Sequence, residues 1–196
     1  MTRSDEELVS ACLEGEESAF DVLVMRWDRK IRGAIFRIVG SEEDARDLCQ
    51  EAFLKAYRHL GTFKQEARFS SWLYQIALNL SRDRLRRRRG RTMVSLEEVD
   101  EDGRVMTQSG PSPFELVEGR DIGRRVAAAV AALPEEQREV IVLKEYQGLT
   151  FLEIAQVLDV PISTVKTRLY RGLVLLRARL EREGIKGAAP VPATTP

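Results

Sequence analysis

The chain has 196 residues, 43% of them hydrophobic and 32% charged, with acids and bases in equal number. That length allows one or two small domains with real cores. It holds no apolar run near the ~18 residues a membrane helix needs, and residues 1–7 are too acidic and polar for a secretory signal, so a cytoplasmic location without membrane insertion is expected.

Four helical segments are predicted over residues 4–89. Ser4 with Glu7 forms a capping box, and Leu8, Ala11 and Cys12 follow on one face until Gly15. The segment 17–38 places Phe20, Leu23, Val24, Trp27, Ile31, Ile35 and Ile38 at helical spacing before Gly40-Ser41 breaks the pattern. Ser41 with Asp44 opens a third helix carrying Leu48, Cys49, Ala52, Phe53, Ala56 and Tyr57, and Gly61 stops it. Residues 62–68 read as a loop. A fourth helix runs from about Ser70 to Arg89 with Trp72, Leu73, Ile76, Ala77 and Leu80 as its core face. Nowhere do β-branched and polar residues alternate over a useful length, so no sheet is predicted.

Residues 91–113 lack a helical period and hold Gly103, Gly110, Pro111, Pro113 and many acids, the composition of a flexible linker. Helical pattern resumes near Phe114 and runs to Leu133. Pro134 opens another helix over about 135–146, closed by Gly148. Thr150 with Glu153 then makes a capping box, and Leu149 with Ile154 a hydrophobic staple, at the start of a short helix over Phe151–Leu158. The turn Asp159-Val160-Pro161 leads into a last helix with Ile162, Val165, Leu169, Leu173 and Leu176 on one face. Its other face carries Ser163, Thr164, Lys166, Thr167, Arg168, Tyr170 and Arg171. A helix-turn-helix of this form presents its second helix to a DNA major groove. The glycine- and proline-rich end cannot pack and is expected to be disordered. The predicted architecture is therefore all-α. Two small helical domains, over 1–90 and 114–183, are joined by a flexible acidic linker over 91–113, and a tail over 184–196 follows.

The zero net charge hides segregation. Residues 61–91 hold 2 acids and 9 bases, residues 92–118 hold 7 acids and 1 base, and residues 159–186 hold 3 acids and 7 bases. Two basic islands flanking an acidic stretch point to two nucleic-acid contacts joined by something that avoids nucleic acid. The first island is an arginine run: Arg82, Arg84, Arg86, Arg87, Arg88, Arg89 and Arg91. A solvated basic helix end complementing the helix dipole is one reading. A phosphate backbone that neutralises the mutual repulsion is the better one. Just before it, Phe63, Phe69 and Trp72 mix with Lys64 and Arg68, as expected of a site where single-stranded bases stack. Trp72 also fits the core face; Phe63 is the more open case. On the third helix Asp47, Gln50, Glu51 and Leu54 share a face whose charge suits a protein partner rather than DNA.

No catalytic chemistry is visible. His59 has neither nucleophile nor metal partner and reads as a surface residue at a helix end, and no phosphate-cradling glycine loop occurs. No cofactor or metal is expected. Cys12 and Cys49 belong to no CxxC or Cys/His cluster and read as two small buried core residues, a redox role requiring both to be exposed and close.

Several motifs together resemble one family. Residues 44–57, DARDLCQEAFLKAY, look like the polymerase-binding helix of bacterial sigma factors, and residues 69–79, FSSWLYQIALN, look like their promoter-melting segment. LPEEQREV at 133–140, GLTFLEIA at 148–155 and VPISTVKTRL at 160–169 resemble their fourth conserved region. The likeness is to the extracytoplasmic-function sigma factors, the short type with only the second and fourth regions. It implies that Asp47, Gln50, Glu51 and Phe53 face the polymerase clamp, and that the flap holds the second domain. It implies that Phe63, Lys64, Arg68 and Asn79 capture an unpaired base of the −10 element while Arg82, Arg84, Arg86 and Arg87 hold nearby phosphates. Lys144, Ser163, Thr164, Lys166, Thr167, Arg168, Tyr170 and Arg171 would meet the −35 element. The resemblance also implies an inhibitory partner, an anti-sigma factor, and a linker passing near the active-site and RNA-exit channels. A conventional helix-turn-helix regulator that binds DNA without polymerase is the alternative, but it leaves the arginine run with its aromatics unexplained. A protein-only adaptor leaves both basic islands unexplained.

Overall fold

The computed structural model describes residues 3–63, 68–96 and 118–185, with side chains over 3–63, 68–90 and 122–185. Every regular element among the described residues is helical. The chain divides into two compact units, Met1–Pro113 and Phe114–Pro196. No helix among the described residues is long and apolar enough to cross a membrane.

In the first unit α1 spans Asp5–Leu13, α2 Ser18–Val39, α3 Glu42–Arg58 and α4 Phe69–Leu96. The Ser4/Glu7 capping box forms, and Ser41 caps α3 by accepting the Asp44 amide at 3.2 Å. Gly40 ends α2 at φ 75°, a left-handed conformation that glycine adopts without steric cost. Against α2 lie α1, α3 and α4, around a core of Leu8, Leu23, Ile31, Ile35, Ile38, Leu48, Ala52, Leu73 and Ala77. Trp27 Nε1 donates to Asp5 Oδ2 at 2.9 Å, and Arg26 pairs with the same carboxylate, fixing α1 on α2.

Two expectations about α4 need correction. Tyr74, Leu78 and Phe69 are buried along with the anticipated Leu73, Ala77 and Leu80, while Ile76 and Trp72 are only half-buried. Contact with α2, α3 and α1 covers α4 on more than one side, which blurs the apolar period. The helix also continues to Leu96, past position 91 where a linker was anticipated. Positions 97–113 of that linker, the resumption at 114–117 and the tail from 186 onward lie outside the described residues.

The second unit comprises α5 (Glu118–Ala131), α6 (Glu135–Ile141), α7 (Phe151–Leu158) and α8 (Ile162–Arg182). The predicted helix at 135–146 changes register instead of running through. From Val142 to Tyr146 it widens into a π turn in which the Gln147 amide donates to Val142 O at 3.2 Å. Gly148, at φ 70°, then reverses the chain so that the Leu149 amide reaches Leu143 O at 3.1 Å. Thr150 and Glu153 form the anticipated capping box on α7. Asp159 supplies the turn into α8 from the left-handed region, φ 53°. At the crossing of α8 with α6, a Cβ on Gly172 would stand 2.8 Å from Ile141 Cδ1 and 3.2 Å from Gln137 Cβ. Buried Val140, Ile141, Ile154, Val157, Val165 and Leu169 fill this unit. Ile162 departs from the predicted apolar face: it is exposed at the first turn of α8, beyond the reach of the core.

Candidate nucleic-acid interface

The arginines of α4 do not form one uniform array. Arg84 turns inward and pairs with Asp44 in the first turn of α3. Arg88, one helical turn on, lies 3.7 Å from the other oxygen of that carboxylate and donates to Val39 O at 3.4 Å. Arg84, expected from the sequence to hold a phosphate, is instead engaged in an internal ion pair. Arg82 Nη1 approaches Asn79 Oδ1 at 3.4 Å, and Arg86 pairs with Asp83 at 2.7 Å while its side chain stays 81% exposed. Asn79, Arg86 and Arg87 are exposed, and Arg82 is half-buried.

Phe63 also needs correction. It is buried, with its ring centroid 6.0 Å from that of Phe69 and 5.3 Å from that of Trp72, inside an aromatic cluster. Arg68 is exposed, and Lys64 lies outside the described residues.

On α3, Asp47, Gln50, Glu51 and Leu54 are all exposed, with Glu51 reaching Lys55 at 3.4 Å. Phe53 does not join them. It is buried and meets Phe20 edge-on at 6.5 Å. Tyr57, which sequence reading assigned to the core side, is 44% exposed and packs one ring edge on Phe20 at 5.0 Å. It extends the outer face by one turn. Its i+3 spacing from Leu54 was the available signal.

On α8, Ser163, Lys166, Thr167 and Arg171 are exposed on the side opposite buried Val165, Leu169 and Gly172. Thr164 and Tyr170 are half-buried at the edges of that face. Thr167 Oγ1 donates to Ser163 O at 2.9 Å. Arg168 turns toward α6 and pairs with Glu136 at 2.8 Å, leaving its side chain 20% exposed; this corrects its assignment to the outer face. Lys144 donates to Leu149 O at 3.1 Å and sits 4.9 Å from the centroid of Phe151. Lys166 lies 5.8 Å from the same ring. Phe151 was missed by sequence reading. Its signal was an aromatic at the first helical position after the Thr150 cap, where an apolar side chain has little core to reach.

The displaced ionisations belong to the scaffold. Burial first, then the neighbouring Asp28 carboxylate, pushes the Cys49 thiol up to about 12. Cys12 is pushed up by burial and by Glu17, and burial raises Tyr74. Cys12 is half-buried, not core as expected; only Cys49 is buried. A thiol held protonated is a poor nucleophile. Among the described residues no cluster could hold a metal ion.

Residues 23–91 match the sigma-70 region 2 family and residues 123–176 the sigma-70 region 4 family. The ECF RNA polymerase sigma factor SigW of Bacillus subtilis is 34% identical over 85% of this chain and 91% of its own length. The chain is an ECF sigma factor of the sigma-70 family. RNA polymerase sigma-H factor of Pseudomonas aeruginosa is 36% identical over 85% of this sigma factor and 89% of its own length. Among solved structures, CnrH in complex with the cytosolic domain of CnrY has a TM-score of 0.69 at 26% identity, covering 92% of this chain and 99% of that one. A sigma factor is a non-catalytic subunit that directs RNA polymerase to promoters. Here α2, α3 and α4 make up most of region 2, and α5 to α8 carry region 4 with its helix-turn-helix.

Proposed function

We propose that this sigma factor docks on the clamp of core RNA polymerase through Asp47, Gln50 and Glu51 on α3, with Leu54 and Tyr57 adding apolar area. The second unit is held by the polymerase flap and lays α8 in the major groove of the −35 element. There Ser163, Thr164, Lys166, Thr167, Tyr170 and Arg171 face the DNA, with Lys144 beside them. The observation that carries this reading is the two-sided α8, whose exposed polar and cationic residues stand opposite buried Val165, Leu169 and Gly172. Such a helix can bury one side in its own domain and offer the other to base edges and phosphates.

In the first unit, Asn79 and the loop around Lys64 and Arg68 receive an unpaired base of the −10 element. Arg82, Arg86 and Arg87 hold adjacent phosphates of the non-template strand. Extruding a base costs a few kcal/mol. Stacking at roughly 1–3 kcal/mol per base, with phosphate neutralisation, offsets that cost, so melting needs no hydrolysis by this chain. Phe53, Phe63, Arg84 and Arg168 are left out of the contact set because the protein itself occupies them. An anti-sigma factor is the natural inhibitor. CnrH is seen with the cytosolic domain of CnrY, and an inhibitor covering the α3 face would block assembly.

Run-off transcription with purified core polymerase on a library of genomic fragments tests the proposal. Discrete start sites that require this chain are the expected result. Failure to initiate from any template at low salt, with folded full-length chain, overturns it.

A further inference from the structure

At the α2–α3 junction, Asp44 is held through both its backbone and its side chain. Its amide is held by Ser41 Oγ at 3.2 Å, and its side chain is 16% exposed. One carboxylate oxygen takes Arg84 and the other lies 3.7 Å from Arg88, whose guanidinium also donates to Val39 O. Residues four apart share one side of a helix. Arg84 and Arg88 therefore lie on the side of α4 toward Asp44, with side chains 31% and 48% exposed, while that of Arg86 is 81% exposed. We propose that Asp44 is a positioning residue that withholds Arg84 and Arg88 from nucleic acid and so limits how many phosphates the basic end of α4 can neutralise.

The inference rests on the reading of that end as a single-strand contact. Affinity for nucleic acid without sequence preference grows with each phosphate neutralised, and its salt dependence counts them. A run of arginines offered whole would hold any strand it met. Pairing two of them to a carboxylate lowers that indiscriminate grip and leaves discrimination to the base pocket and to α8. The partly buried carboxylate keeps the pair, because losing both partners would leave it uncompensated in a half-desolvated site.

The test is fluorescence anisotropy of the full chain with a short mixed-sequence DNA strand, titrated with NaCl. Asp44→Asn should steepen the slope of log K against log salt by about 1.4, two further phosphates at ~0.7 each, and tighten binding at low salt. Arg84→Gln with Arg88→Gln should leave the parental slope unchanged. An unchanged or shallower slope in Asp44→Asn overturns the inference. So does a slope flattened by about 1.4 in the double variant, because those arginines would then be touching the strand. If circular dichroism shows Asp44→Asn unfolded, the double variant decides alone. A parent with no salt-dependent binding sinks the single-strand reading itself; a parent that binds while Asp44→Asn matches its slope sinks only the role of Asp44.

Discussion

Cys49 ties the stability of the first unit to pH. Its sulfur lies 3.5 Å from Asp28 Oδ1 on α2, and burial with that carboxylate pushes its ionisation to about 12. The unfolded chain gives up the thiol proton first, near the ordinary value of about 8.5. The stabilisation is therefore complete below that value and is lost as pH climbs toward about 12. Urea midpoints at pH 7 and pH 10 should fall more for the parent than for Cys49→Ala. Phe63 gives a second residue-scale outcome: Phe63→Ala should cost about 3–5 kcal/mol of stability, read from a urea titration, as for other buried aromatics. The identity of these side chains was legible, but the direction of Phe53 and Phe63 was not. Phe53 stands three residues from Gln50 on the same helix, and only the line along which α2 crosses α3 decides which of the two is covered.

At the scale of elements, the α6–α8 crossing depends on the absent side chain of Gly172. Ile141, whose terminal carbon a new Cβ would meet, is itself fully buried and has little space to move. Gly172→Ala should destabilise the second unit by about 1–3 kcal/mol, the usual cost of overpacking, seen as a lower thermal midpoint. Helix starts were readable from local chemistry, since Ser4, Ser41 and Thr150 act only on amides within three residues. The π turn at Val142–Tyr146 was not. A one-residue widening leaves no mark on the apolar run Val140, Ile141, Val142 and Leu143, and all four are buried. Arg168 was misassigned for a related reason. It sits at the edge of α8, and Glu136 on α6, distant in sequence, claims it.

For the molecule as a whole, the α3 face proposed to meet the polymerase clamp and the α8 face proposed to meet the −35 element lie in different units and should be separable. Asp47→Ala with Gln50→Ala should reduce co-purification with core polymerase about tenfold, while circular dichroism is unchanged. Lys166→Ala with Arg171→Ala should retain co-purification and lose about tenfold or more of promoter-dependent run-off product. The two basic islands, one in each unit, were visible once charge was counted by segment, since the balanced total of 31 acids and 31 bases conceals them. What counting could not show is how much of each island the protein keeps for itself, as with Arg84 and Arg88.

Phe151 has a genetic consequence. Lys144 and Lys166 lean on one ring, 4.9 Å and 5.8 Å from its centre, and attraction to an aromatic face is worth about 0.5–1 kcal/mol at exposed sites. Two like charges on one platform compete for it, so removing either lets the other settle. The alleles should therefore show epistasis: the double Lys144→Ala, Lys166→Ala strain loses more reporter expression than the two single losses combined. In a Phe151→Leu background the same losses should become additive.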